Sequence, residues 1–188
     1  MKVLKDLLKA NEDRKIIIMP VGISGSGKTK LYIDLNKEFD IHYISFDKIR
    51  INLYRKDFPD RDKISYHDAY RYVSDKKMKI LPIAKKEFIN SKSKIVYIDN
   101  TNLTKKARRK FLCIADGYLR IAVYFEPNIR ECIKRQFGID RDKRVKPSVI
   151  LDQFSIIERP DFSEFDIILT KKIDRNINEK GSSDNRRI

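Results

Sequence analysis

A chain of 188 residues is long enough for one α/β domain with a full core and too short for two of ordinary size, so it reads as a single domain. Hydrophobic residues at 41% and charged residues at 37% exclude a disordered chain and a membrane-embedded one, since no apolar run approaches the length of a span. The 42 Lys and Arg against 27 Asp and Glu leave a net charge of +15, which attracts polyanions, although solubility alone can account for such an excess. The N-terminus, Met1-Lys2-Val3-Leu4-Lys5-Asp6, lacks a signal-peptide core, and Cys113 and Cys132 have no C-x-x-C spacing. Both thiols are expected to be buried and reduced, and the protein cytoplasmic.

Apolar positions Val3, Leu4, Leu7 and Leu8 at helical spacing predict a short helix over 3–10. The run Ile16-Ile17-Ile18-Met19 predicts a first strand over about 15–21, with Pro20 at its end, where the ladder is about to stop. Directly behind it, Gly22-Ile23-Ser24-Gly25-Ser26-Gly27-Lys28-Thr29 fits G-x-x-x-x-G-K-[ST] in full. A strand feeding a glycine-rich turn and then a helix points successive N–H groups inward and makes an anion cradle. There Gly22, Ser24, Gly25, Ser26 and Gly27 would wrap the phosphates of a nucleoside triphosphate. Lys28 would reach the β and γ phosphates, and the Thr29 hydroxyl would be a ligand of Mg²⁺. The following helix is predicted to run to about Phe39.

Residues 41–46 predict a second strand, buried on both faces, with Asp47 at its carboxyl end, where ligands sit in open α/β sheets. A loop is expected over 57–63, then a long helix over 66–90, kinked or broken where Pro82 removes a donor. The tyrosines of 66–72 read as core, although a base could stack on one that is exposed, and His42 and His67 read as structural. Residues 94–98 predict a third strand ending at Asp99. Thr104 would cap a helix to about Ala115, ended by Gly117. A fourth strand follows over 119–125, and Pro127 opens another helix. Residues 138–146, polar, basic and aperiodic, are expected to form a mobile basic lid. Pro147 starts a helix to about Glu158, and 165–169 is the fifth strand. From Lys171 onward nothing is available to bury, so 1–170 reads as the domain and 171–188 as a frayed basic tail. Strands alternating with helices imply a five-stranded parallel sheet in a P-loop kinase-like three-layer α/β/α sandwich.

A phosphate loop identifies the donor of a phosphoryl group and leaves the acceptor open. Transfer also needs a carboxylate to take the acceptor's proton and cations to offset charge on the group in flight. Asp47 and Arg50 would share a helix face if a helix starts there, and Arg50 could also grip a substrate phosphate; in isolation a capping Asp beside a surface Arg is the plainer reading, but the location beside the phosphate loop favours the functional one. Asp99 would hold Mg²⁺ through water, or make an Asx turn, with Thr101 and Asn102 in support. Of Arg130, Lys134, Arg135, Arg141, Lys143, Arg144 and Lys146, some would neutralise the triphosphate and the others would form a solvated face.

Taken in order, Gly22 to Thr29, Asp47 with Arg50, Asp99-Asn100-Thr101-Asn102-Leu103, Phe125-Glu126-Pro127, Glu131-Cys132-Ile133-Lys134-Arg135-Gln136 and Arg141 before Val145 resemble the 5′-hydroxyl polynucleotide kinase family, over most of residues 15–170. Gln136 stands where that family more often has Asn. The resemblance implies ATP or another NTP as donor, Mg²⁺ as cofactor, and 5′-OH ends of RNA or DNA as acceptors in end healing. It implies Asp47 as the general base toward the 5′-OH and Arg50 as a contact to substrate phosphate and base. Arg141 would be the lid contact to the donor phosphates, assisted by Arg135, with Arg144 as the rival for that place. Two other readings use the same loop. One is a kinase of a small acceptor such as a nucleoside, sugar or antibiotic, which would not need the positive surface. The other is a nucleotide-dependent binding module, in which Asp47 would have no task.

Overall fold

The computed structural model describes residues 2–138 and 143–173. The elements are α1 (Lys2–Ala10), β1 (Ile16–Val21), α2 (Lys28–Leu35), β2 (Ile41–Ile44), α3 (Phe46–Asp57), α4 (Tyr66–Asp75), α5 (Ile80–Ile89), β3 (Ile95–Ile98), α6 (Lys105–Leu112), β4 (Leu119–Phe125), α7 (Ile129–Lys134) with a 3₁₀ turn to Phe137, α8 (Pro147–Ser155) and β5 (Ile167–Lys171). The strands form one parallel sheet in the order β2-β3-β1-β4-β5. Every residue of β1 is buried, as a central parallel strand covered by helices on both faces requires. Ile17 and Met19 pack with residues of α3 to α6 on one face. Ile16 and Ile18 pack with Leu4, Leu8, Leu31 and Leu35 of α1 and α2 on the other. The result is the expected three-layer α/β/α arrangement.

Pairing of β1 with β3 stops at Ile18, while pairing with β4 continues to Val21. Pro20 therefore sits where one ladder has already ended, so its missing N–H costs little. Its carbonyl is used instead, accepting from Asn102 Nδ2 at 2.9 Å. A third apolar cluster, Ile23, Leu103, Cys132, Ile150 and Ile173, ties the phosphate loop to the segments that follow β3 and β5 and to α7 and α8.

Several expectations are corrected. The 66–90 helix is two helices, and the break lies at 76–79, ahead of Pro82. Lys77 takes the left-handed conformation at φ 50°, and Met78 N–H donates to Val73 O at 3.0 Å while Lys77 N–H donates to Ser74 O at 3.0 Å. That is a Schellman closure, which ends α4 without proline. Pro82 then falls in the first turn of α5, where its lost N–H had no helical partner. Strand β2 lies at the edge of the sheet, so His42 and Tyr43 are half-buried. Strand β5 begins two residues later than expected and runs through Lys171, and Ile173 beyond it is buried. Cys132 is buried but Cys113 is exposed. Among the described residues no helix is long and apolar enough to cross a membrane.

Candidate functional site

The phosphate loop leaves β1 between the carboxyl ends of β3 and β4 and enters α2 at Lys28. Gly25 and Gly27 have φ of 90° and 102°, the left-handed side that glycine adopts without strain. The N-cap of α2 is Gly27, which has no side chain to bond the helix start, an arrangement that suits an anion there. Lys28 is buried, and its ammonium donates to Gly22 O and Ile23 O, both at 2.8 Å, and to Ser26 Oγ at 3.2 Å. A lysine held among loop carbonyls fits a phosphate as its alternative partner.

Asp99 lies directly after β3. Its Oδ2 accepts from the Thr29 hydroxyl at 2.7 Å and from the Tyr43 hydroxyl at 2.6 Å. Burial, reinforced by the Asp99 charge, pushes the Tyr43 hydroxyl above its ordinary titration range and keeps it a donor. Thr29 and Asp99 thus present adjacent hard oxygen donors, a set that fits Mg²⁺, which uses one or two protein oxygens together with water and phosphate. Among the described residues no group of three or more His, Cys, Asp or Glu could hold a metal ion by itself. Tyr43 was missed as an Asp99 partner because it belongs to another strand. Asn102 has a different task from the expected support of Asp99: at φ 50° its amide donates to the carbonyls of Pro20, Ile98 and Asn100 and fixes the turn. Gly22 N–H donates to Thr101 O at 3.1 Å, so this turn anchors the start of the phosphate loop.

Asp47 occupies the first turn of α3, where the Phe46 N–H donates to Asn100 Oδ1 at 3.2 Å and the preceding Ser45 forms no side-chain cap, and Arg50 follows one turn on. Arg50 Nη1 donates to Asp47 Oδ1 at 2.8 Å. The Lys143 ammonium pairs with Asp47 Oδ2 from the loop ahead of α8. A cavity of about 760 Å³ lies between these groups and the phosphate loop, lined by Ser24, Asp47, Arg50, Tyr70, Lys143 and Arg144 among others. Asp47 and the phosphate loop therefore border one space. Tyr66, His67 and Lys146 also border it, and Tyr70 is 58% exposed with the Arg50 guanidinium 5.0 Å above its ring. The tyrosines expected as core thus in part line the cavity. α4 buries Ala69 and Val73 against the core and leaves Tyr70 exposed beside that buried face.

Arg135 is held against the loop from α7. Its Nε donates to the buried Glu131 at 2.9 Å and its Nη1 to Gly25 O at 3.2 Å. Buried Gln136 donates to Cys132 O and accepts Val145 N–H, clasping the two ends of the expected lid. Burial pushes the Cys132 thiol up, which leaves it an inert packing group. Arg141 lies outside the described residues. Arg144 borders the cavity beside Asp47.

A complete phosphate loop on the central strand of a parallel α/β sheet, with a carboxylate after the neighbouring strand, defines a P-loop kinase-like nucleotide-binding domain. Residues 17–160 match the AAA_33 family, described as AAA domain, and the chain belongs to that family. No curated protein matches the chain in sequence. Among solved structures, a gluconokinase from Sinorhizobium meliloti 1021 is similar with a TM-score of 0.56 at 16% identity, over 86% of this chain and 84% of that one. Kti12 from Chaetomium thermophilum in complex with ADP-AlF3 is similar with a TM-score of 0.55 at 19% identity, over 84% and 89%. Both likenesses speak to the fold. A weaker one, to the Pnkp1/Rnl/Hen1 complex, has a TM-score of 0.42 at 16% identity over 71% and 42%, too slight to argue from.

Proposed function

We propose that the protein is an ATP- and Mg²⁺-dependent kinase that transfers the γ-phosphoryl group to the 5′-OH of RNA or DNA. The observation that carries this reading is the single cavity bordered by Ser24 of the phosphate loop on one side and by Asp47 and Arg50 on the other. Asp47 would take the proton of the 5′-OH as its oxygen attacks the γ phosphorus, and Arg50 would orient the acceptor. Lys28 and Arg135 would hold the donor phosphates, with Arg141 as a further candidate. Thr29 and Asp99 would hold Mg²⁺, which offsets phosphate charge when bound. Lys143, Arg144 and Lys146 on the cavity wall, with the net charge of +15, favour a polyanionic acceptor.

Radiolabel transfer from ATP to a 5′-OH oligonucleotide tests the reading. Wild-type protein is expected to label the end, and Asp47→Ala to lower kcat by about 10²–10⁴ with ATP binding retained. Absence of labelling by wild type, or full activity of Asp47→Ala, refutes it. The cavity volume also suits a small acceptor. A small-acceptor kinase predicts little salt dependence, whereas a polynucleotide acceptor predicts affinity falling steeply as salt rises, because the counterions displaced on binding then gain less by entering the bulk.

A further inference from the structure

Asp47 holds two cations of different kinds. Arg50 belongs to the same helix, donates to Oδ1 at 2.8 Å and lies over the Tyr70 ring, so it is a fixed partner. Lys143 reaches Oδ2 from 96 residues away on a flexible stem, 43% exposed at the cavity wall, with its ammonium 6.0 Å from the Tyr66 ring centre. Each carboxylate oxygen therefore already has a cation on it. An alcohol that is to give its proton to Asp47 must come within hydrogen-bond reach of one of those oxygens. Arg50 is bound to its place by helix geometry, so Oδ2 is the oxygen that can be released.

We propose that Lys143 is a specificity residue which occupies Asp47 until a phosphate carried by the acceptor draws it away. This rests on the phosphoryl-transfer reading of the site. A phosphate one sugar from the attacking hydroxyl offers the ammonium a doubly oxygenated, charged partner, and Arg50, Arg144 and Lys146 border the same cavity to help seat it. A neutral alcohol offers no such exchange, so it competes with the ion pair and gains nothing in return. In the productive step the alcohol proton passes to Asp47, the new oxygen–phosphorus bond forms, and the bond from the γ phosphorus to the departing ADP oxygen breaks. The substrate class that follows is an alcohol with a neighbouring phosphate, such as a 5′-OH polynucleotide end or a nucleoside 3′-phosphate. Unphosphorylated nucleosides and sugars are poor acceptors.

The experiment compares kcat/KM for a nucleoside 3′-phosphate and for the matching nucleoside, in wild type, Lys143→Ala and Lys143→Arg. Wild type is expected to prefer the phosphorylated acceptor. Lys143→Ala is expected to lower kcat/KM for the phosphorylated acceptor about tenfold to a hundredfold, the range of a lost charged hydrogen bond, and to raise that for the nucleoside. Lys143→Arg should restore the preference. A structural lesion would lower both acceptors by one factor, and that outcome, or an unchanged ratio, overturns the assignment of Lys143 alone. If neither a 5′-OH oligonucleotide nor the nucleoside 3′-phosphate is phosphorylated by wild type, the polynucleotide kinase reading falls and this inference falls with it.

Discussion

Replacing Arg108 with Met should be among the most damaging single changes in the molecule, although no sequence motif marks the residue. Its side chain is 0% exposed in the middle of α6. Nε and Nη2 grip Glu164 at 2.9 and 2.6 Å, and Nη1 donates to the carbonyls of Asn102, Leu103 and Glu158 at 2.9–3.1 Å. One guanidinium thus joins the turn behind β3, the segment after α8 and the segment ahead of β5. Met keeps most of the packed volume but removes every donor. Removing one partner of a buried ion pair costs about 3–5 kcal/mol, because the other charge is left uncompensated. Leu103 O still accepts Glu158 N–H, so the carbonyls of Asn102 and Glu158 add to the loss and place it near the upper end. For a chain of this size that corresponds to a fall in Tm of roughly 6–20 °C. Adding Glu164→Met removes the stranded carboxylate and should recover more than half of the loss. Denaturant unfolding of wild type, both single variants and the double variant reads the coupling directly. A loss below about 1 kcal/mol for Arg108→Met, or simple additivity in the double variant, would show that the network is solvated and weak.

Two glycines of the phosphate loop should differ in cost. A Cβ on Gly25 would lie 2.7 Å from Gln136 Nε2 and 2.8 Å from Cys132 O, whereas one on Gly27 would have nothing nearer than 3.9 Å. Both carry positive φ, so both alanine variants bear about 1–2 kcal/mol of backbone strain, and Gly25→Ala adds about 1–3 kcal/mol of overpacking. Thermal denaturation that ranks the two equally would argue against the close approach of α7 to the loop. Tyr97, buried and donating to Lys28 O at 2.7 Å, and half-buried Tyr43 both have hydroxyls pushed above their usual range, by burial first and then by the Asp99 charge. Raised folded values favour the neutral form, so this stability is complete below pH 10, where unfolded tyrosine ionises, and declines above it. The decline is up to about 1.4 kcal/mol per pH unit for each of the two. Absorbance titration should show these two ionising only as the circular dichroism collapses. Smooth ionisation of all nine tyrosines near pH 10 in folded protein would contradict the burial.

The chain itself determined what depends on neighbours in sequence. The Ile16 to Met19 run, the glycine spacing that follows it and the recurrence of strand and helix suffice for the phosphate loop and for a parallel sheet, because periodicity and local turn chemistry set both. Thr104 caps α6 through a bond to Ala107 N–H for the same reason. Asp47 with Arg50 was also legible, since three residues on a helix bring both to one face. The end of α4 was not, because lysine at a left-handed position carries no signal comparable to glycine, and the proline nearby drew the break toward itself. What folding alone decided are the contacts between distant segments. Tyr43 meets Asp99 across β2 and β3, Arg108 meets Glu164, Gln136 clasps Val145, and Lys143 reaches Asp47. Each such pair is chosen by which strands lie side by side and which helices cover them. That choice is made by burial summed over the whole sheet, so no local pattern could disclose it.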